Sequence, residues 1–217
     1  PVHVERAADR DRAVLLGGRG IDLNLFFNYN SRVWHKAGSE ITFDIDHDTL
    51  VPGWNLGLGK IIMAGDTYFV MDADGTRHPF EGTFHTDFPA PANSLQTFEG
   101  RTTDGTFIDY YAEGYKFEFD NSGGRNMIVA WAVLPDGTRI EYGASANYAM
   151  YPTRITDAHG NFITITYLNN EGPKIQTITD TLGRVVYFHY DGSGLLTSIV
   201  VPALNGSSRV AVRLQYQ

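Results

Sequence analysis

A unit of 23 residues recurs near the C-terminus: Ile155-Thr156-Asp157-Ala158-His159-Gly160 returns as Ile178-Thr179-Asp180-Thr181-Leu182-Gly183. Each copy runs on through an apolar-rich stretch to a tyrosine, Tyr167 and Tyr190. Self-similarity at a fixed period marks a fold built by adding one supersecondary unit to the next, each burying its apolar face on its neighbour. It also moves the functional question. A repeating wall acts through its shape and what it holds, so surfaces come before catalytic pairs.

The local pattern around this unit is that of strands. Ile21, Leu23, Leu25, Phe27 and Tyr29 alternate with Asp22, Asn24, Asn28 and Asn30, interrupted only by Phe26. Tyr115, Phe117 and Phe119 alternate with Lys116 and Glu118, and Ile163, Ile165 and Tyr167 with Thr164 and Thr166. Val210, Val212, Leu214 and Tyr216 close the chain in the same rhythm. Period-two alternation belongs to antiparallel strands with one face on a core and one in water. Met127 to Leu134 is apolar throughout and reads as a strand covered on both faces. Glu5 to Ala13, rich in Ala and Arg, is the one segment that reads as a short helix.

Turn chemistry separates the strands. Asp-Gly occurs at Asp74-Gly75, Asp104-Gly105, Asp136-Gly137 and Asp191-Gly192, and this pair between alternating runs signals hairpins with primed turns. The glycine series Gly75, Gly105, Gly137, Gly160 and Gly183 is irregular at first and settles to the 23-residue spacing. Pro79, Pro89 and Pro91 break the rhythm, so residues 80–94 read as a long irregular loop. The fold class that follows is all-β: an antiparallel, hairpin-rich repeat sheet. Residues 1–19 form a leader with the short helix, 20–154 an irregular β region, and 155–217 the repeats.

Composition removes several functions. The net charge of −8, with no cluster of Lys and Arg, argues against nucleic acid and anionic membranes as partners. No apolar run approaches the ~20 residues of a membrane helix. The absence of cysteine excludes disulfides, thiolate metal sites and cysteine nucleophiles. There is no Gly-x-Ser-x-Gly and no phosphate-binding Gly-rich loop, so no catalytic residue and no cofactor are indicated.

A few clusters could still carry chemistry. Asp44-Ile45-Asp46-His47-Asp48 places carboxylates as the first half of a calcium loop does, but Thr49 and Asn55 stand where that loop needs Gly and Glu. Three aspartates on one wet strand face account for the same spacing. Asp72-Ala73-Asp74-Gly75 is a similar fragment that a hairpin turn explains. His78 and His85, with Glu81 and Asp87, fall in or near the irregular loop and read as solvated. No metal site follows from them. Trp34 and Trp54 flank turns and are candidate ligand-facing residues for stacking on sugars, whereas Trp131 reads as core packing.

Gly183-Arg184, Tyr190-Asp191 and Gly194-Leu195-Leu196-Thr197-Ser198-Ile199 together resemble the YD repeat of RHS proteins. That repeat runs Gly-Arg, several strand residues, Tyr-Asp, a short turn, Gly, then Leu-Thr and an apolar residue. A weaker copy spans Gly160-Asn161 to Tyr167, with Leu168 where Asp is expected. A partial one runs from Arg209 to Tyr216. Tyr29-Asn30-Ser31-Arg32, Pro52-Gly53-Trp54 and Asp72 to Phe80 are similar in order to the opening of RHS cores.

The resemblance implies part of a spiral β-shell, which in RHS and Tc-toxin proteins encloses a C-terminal toxin and in teneurin-like relatives serves adhesion. It implies structural repeat residues, namely Asp157, Gly160, Tyr167, Asp180, Gly183, Arg184, Tyr190 and Asp191. The family's self-cleavage motif, Asp-Pro-x-Gly, is absent. The function implied is therefore non-enzymatic, in a secreted or bacterial cell-surface protein. Its partners would be further YD repeats and a C-terminal toxin of the same polypeptide. A sheet ending at Gln217 would also offer the strand Arg209 to Tyr216 as a free edge for identical chains. A surface adhesion or glycan-binding module and a self-assembling subunit are the alternative expectations.

Overall fold

The structure is a computed structural model that describes residues 2–6, 12–17, 20–29, 34–37, 39–43, 54–56, 58–64, 67–72, 76–85, 95–115, 127–146, 149–203 and 206–216. These residues form an all-β, antiparallel protein. The N-terminal strands are β1 (Val2–Arg6), β2 (Arg12–Leu16), β3 (Leu23–Phe26), β4 (Asn28–Tyr29), β5 (Trp34–Ala37), β6 (Glu40–Phe43) and β7 (Trp54–Asn55). A meander follows with β8 (Lys60–Ala64), β9 (Thr67–Met71), β10 (Arg77–His85), β11 (Leu95–Thr102), β12 (Asp109–Tyr115), β13 (Met127–Val133) and β14 (Arg139–Ala146). It continues through β15 (Ala149–Thr156), β16 (Phe162–Tyr167), β17 (Ile175–Thr179), β18 (Val185–Tyr190), β19 (Leu196–Pro202) and β20 (Ser208–Tyr216).

From β8 to β20 every strand pairs with the next in sequence, so one sheet is drawn without a crossover. Closure happens within it. Ala149 and Met150 of β15 pair with Ile62 and Ile61 of β8, which turns β8 through β15 into an eight-stranded barrel. The other half of β15 pairs outward: Arg154, Ile155 and Thr156 face Thr164, Ile163 and Phe162 of β16. Pro152 lies between the two halves, and the register against β14 shifts beside it. A proline has no N–H to give a ladder, so it suits the point where a strand changes partner.

Two cores result. The barrel interior is filled by Ile61, Val70, Phe80, Ile108, Tyr110, Ala112, Ala130, Ala132, Tyr142 and Met150. Eight strands leave a space that side chains can largely fill. The second core lies on the same face of the extension. Ile163, Ile165, Ile178, Val186, Phe188, Ile199 and Val212 are covered there by Val14, Leu23 and Leu25 of the β2–β3 hairpin. Leu23, Leu25 and Phe27 are buried while Asp22 and Asn24 are exposed, as their alternation demands.

Several expectations from sequence are corrected here. The short helix across Glu5 to Ala13 is replaced by strand at both ends, in β1 and β2; residues 7–11 lie outside the described residues. Helix propensity lost to pairing, because β1 finds a ready edge: Val2 to Arg6 lie against Tyr216 to Val212 of β20. For the same reason β20 is not a free edge. The irregular loop is shorter than expected, since 80–85 continue β10 and pair with β11 as far as His85↔Thr97. Residues 86–94 lie outside the described residues. Among the described residues no helix is long and apolar enough to cross a membrane.

Candidate functional site

The repeat residues act together at one rim of the sheet. The turns after β13, β15, β17 and β19 share one geometry. The first residue's N–H donates to the fifth residue's carbonyl, and the fourth residue, a glycine of positive φ, donates back to the first. The four glycines, Gly137, Gly160, Gly183 and Gly206, are each 23 apart. Each 23-residue period is thus one hairpin plus its link to the next. The turns are not of the primed type that Asp-Gly suggested. At Asp191-Gly192 the left-handed residue is Gly194, and Asp191 opens the turn.

The aspartate of Ile-Thr-Asp-x-x-Gly builds that turn. Asp157 Oδ1 accepts the N–H groups of His159 and Asn161, and Asp180 Oδ1 those of Leu182 and Arg184. Asp191 does the same for Ser193 and Leu195. The Asn161 side chain, the largest influence, holds the Asp157 carboxyl below the usual carboxylate range. The residues after Gly160 and Gly183 then reach across to the N-terminal segment. Arg184 binds the buried Asp180 carboxylate through Nε at 2.7 Å and donates from Nη2 to the Gly17 carbonyl at 2.5 Å. A Cβ on Gly20 would lie 2.0 Å from Asn161 Nδ2, so that turn needs glycine opposite it. Adjacent repeats therefore seat the chain that leads into β3.

The repeat tyrosines lock each hairpin from its second strand. Tyr167 donates to the Pro152 carbonyl at 2.7 Å and Tyr190 to that of Ile175 at 2.8 Å. Tyr216 donates to Leu196 at 2.6 Å. Burial pushes the Tyr167 and Tyr190 phenols above the usual tyrosine range and keeps them neutral donors.

His78, expected in solvent, is instead buried in β10. Its Nδ1 meets Asp104 Oδ2 at 2.5 Å and its Nε2 meets Asp72 Oδ2 at 2.9 Å. Burial opposes charge on the ring, but the hydrogen bonds to Asp104 and Asp72 outweigh it and raise the pKa. The Thr106 hydroxyl first, and His78 next, bring Asp104 down to about 2. With both ring nitrogens bonded to carboxylates, His78 ties two turns together. Among the described residues no group of three or more His, Asp or Glu side chains is arranged to hold a metal ion. Glu81 is exposed; Asp44 to Asp48 and Asp87 lie outside the described residues, as does the side chain of His85.

A crevice of about 470 Å³ opens where the barrel and the extension part company. Ile140, Ile155 and Ile163 line it from β14, β15 and β16, Val70 and Met71 from β9, and Ile21 to Asn24 from the chain entering β3. It arises because β15 serves β8 with one half and β16 with the other. Asp72, Asp22 and Asn24 are its exposed lining residues and mark its mouth. No sequence motif announced it, since its lining comes from eight separated segments.

The aromatic candidates divide. Trp131 is half-buried on the outer side of the barrel and not in the core. Tyr111 of β12 stacks on it at 4.1 Å, and the Arg139 guanidinium of β14 lies 4.5 Å from its ring centre. Those strands flank β13 on opposite sides, so both ring faces are occupied. Trp34 pairs with Phe43 and Trp54 with Tyr29 in two-stranded ladders; their side chains lie outside the described residues. Comparison with protein-family models finds no match, and comparison with curated proteins finds none either.

Proposed function

We propose that this chain is a non-enzymatic wall segment of an RHS/YD-repeat protein, part of a β-shell that encloses or presents a C-terminal toxin or effector. The observation that carries the proposal is the in-phase run of Gly137, Gly160, Gly183 and Gly206 turns, each closing one hairpin of a continuous meander. Such a sheet grows by repetition, and its two faces differ. Ile178, Val186 and Ile199 point to the buried side, while Thr166, Tyr187 and His189 face out. A two-faced, additive sheet separates an interior from solvent without any reactive group. His78, bonded at both nitrogens, and Trp131, covered on both faces, serve packing and turn contacts, as a wall segment requires.

Electron microscopy of the longest natural polypeptide that carries this sequence tests the proposal. A hollow β-shell with residues 155–216 in its wall is the expected image. A solid particle, or turnover in a broad hydrolase screen that survives loss of every other segment, would contradict it.

A further inference from the structure

We propose that the crevice between the barrel and the extension binds a small organic amine with an apolar body, its cationic end held at Asp72 and Tyr142. The crevice has the volume of a ligand pocket, and its walls are largely aliphatic: Ile21, Leu58, Ile140, Ile155 and Ile163 among them. An apolar body therefore leaves water on entering. The polar groups at the site fix the charge of the other end. Tyr142 is 2 % exposed and lines the cavity. A hydroxyl that borders a cavity can bond a polar group that enters it. Burial first, and the Asp72 charge next, push its ionisation upward, so it stays a neutral phenol that can accept from an ammonium group.

Asp72 supplies the counter-charge. Its Oδ2 is engaged by His78, and Asp104 contributes a second carboxylate to the same ring. One histidine between two carboxylates, even when protonated, leaves this cluster net negative. Among the described residues no Lys, Arg or His lines the crevice, and a carboxylate or phosphate ligand would meet the carboxylate of Asp72. Protonated amines carry the opposite charge at neutral pH.

Isothermal titration calorimetry of the whole chain with octylamine, octanol and octanoate at neutral pH tests this. Octylamine should bind measurably more tightly than octanol, and octanoate should bind least. Tyr142→Phe keeps the ring and its packing and should weaken octylamine about tenfold. Asp72→Asn should remove the preference for the amine over octanol. His78→Gln disturbs the same turn but keeps the carboxylate, and should leave that preference in place. Octanol or octanoate binding as tightly as the amine, no amine binding at all, or wild-type amine affinity in both Tyr142→Phe and Asp72→Asn would overturn the proposal.

Discussion

The barrel and the repeat sheet share strand β15 and an antiparallel meander order, yet they solve the problem of an apolar face differently. The barrel closes on itself and fills its interior with small residues, Ala112, Ala130 and Ala132, beside Tyr110, Tyr142 and Phe80. The extension stays open and uses larger aliphatic residues, Ile165, Ile178, Val186 and Ile199, against a separate hairpin laid over it. Small side chains let facing walls approach; branched ones need a cover. Repetition is thus strict where each hairpin meets an equivalent neighbour, and relaxed where the sheet must curve and close.

The largest predicted effects oppose these two cores. Ile178→Ala in the extension should cost about 3–4 kcal/mol, because a fully buried side chain is removed and the cover cannot follow it inward. Ala130→Leu in the barrel should cost about 1–3 kcal/mol by overpacking. Chemical denaturation of both variants measures this; a cheap Ile178→Ala would mean the extension has no packed core of its own. Next in size, Asp180→Ala should cost about 2–3 kcal/mol, since it strands Arg184 and the N–H groups of Leu182 and Arg184. Hydrogen exchange should then rise at the β17–β18 turn and at the Gly17 segment together. Protection lost at the turn alone would break the link between repeat and cover.

Smaller still is Tyr190→Phe, at about 1 kcal/mol, for the lost bond to the Ile175 carbonyl. The smallest effect belongs to the barrel and depends on pH. The raised pKa of His78 contributes stability fully present below its unfolded value of 6.5 and lost as pH rises through the higher folded value. Asp104, brought down to about 2, contributes above its unfolded value of 3.8 and loses this as pH falls. Wild type and His78→Gln should differ most in melting temperature between about pH 4 and 6.5, and converge in alkali. Both carboxylates are partly exposed, so solvent limits the size of the difference. A gap that stays constant from pH 5 to 9 would show that the ring charge is irrelevant.

What was legible in the sequence was local. The alternation of Leu23, Leu25 and Phe27, the strand through Ile163, Ile165 and Tyr167, and the Asp-x-x-Gly unit are all short-range patterns, and the structure keeps each. The turn after β19 was missed because Ala203 stands where Asp157 and Asp180 stand, although Gly206 keeps the phase. What could not be read was pairing across long separations. Nothing near Glu5 says that it will lie against Arg213, and nothing near Met150 says that it will close a barrel onto Ile61. His78 meets Asp104 from 26 residues away, so its burial was hidden by the neighbouring prolines. The crevice follows from that long-range closure and was hidden with it.

The central claim is that 23 residues form one additive hairpin of a wall. Duplicating residues 161–183 in the intact chain tests it most directly, with amide NMR spectra and thermal unfolding as the readout. The account predicts one cooperative transition and a fifth positive-φ turn glycine whose amide is protected like those of Gly160 and Gly183. Aggregation, loss of cooperative unfolding, or a duplicated segment with no amide protection would contradict it.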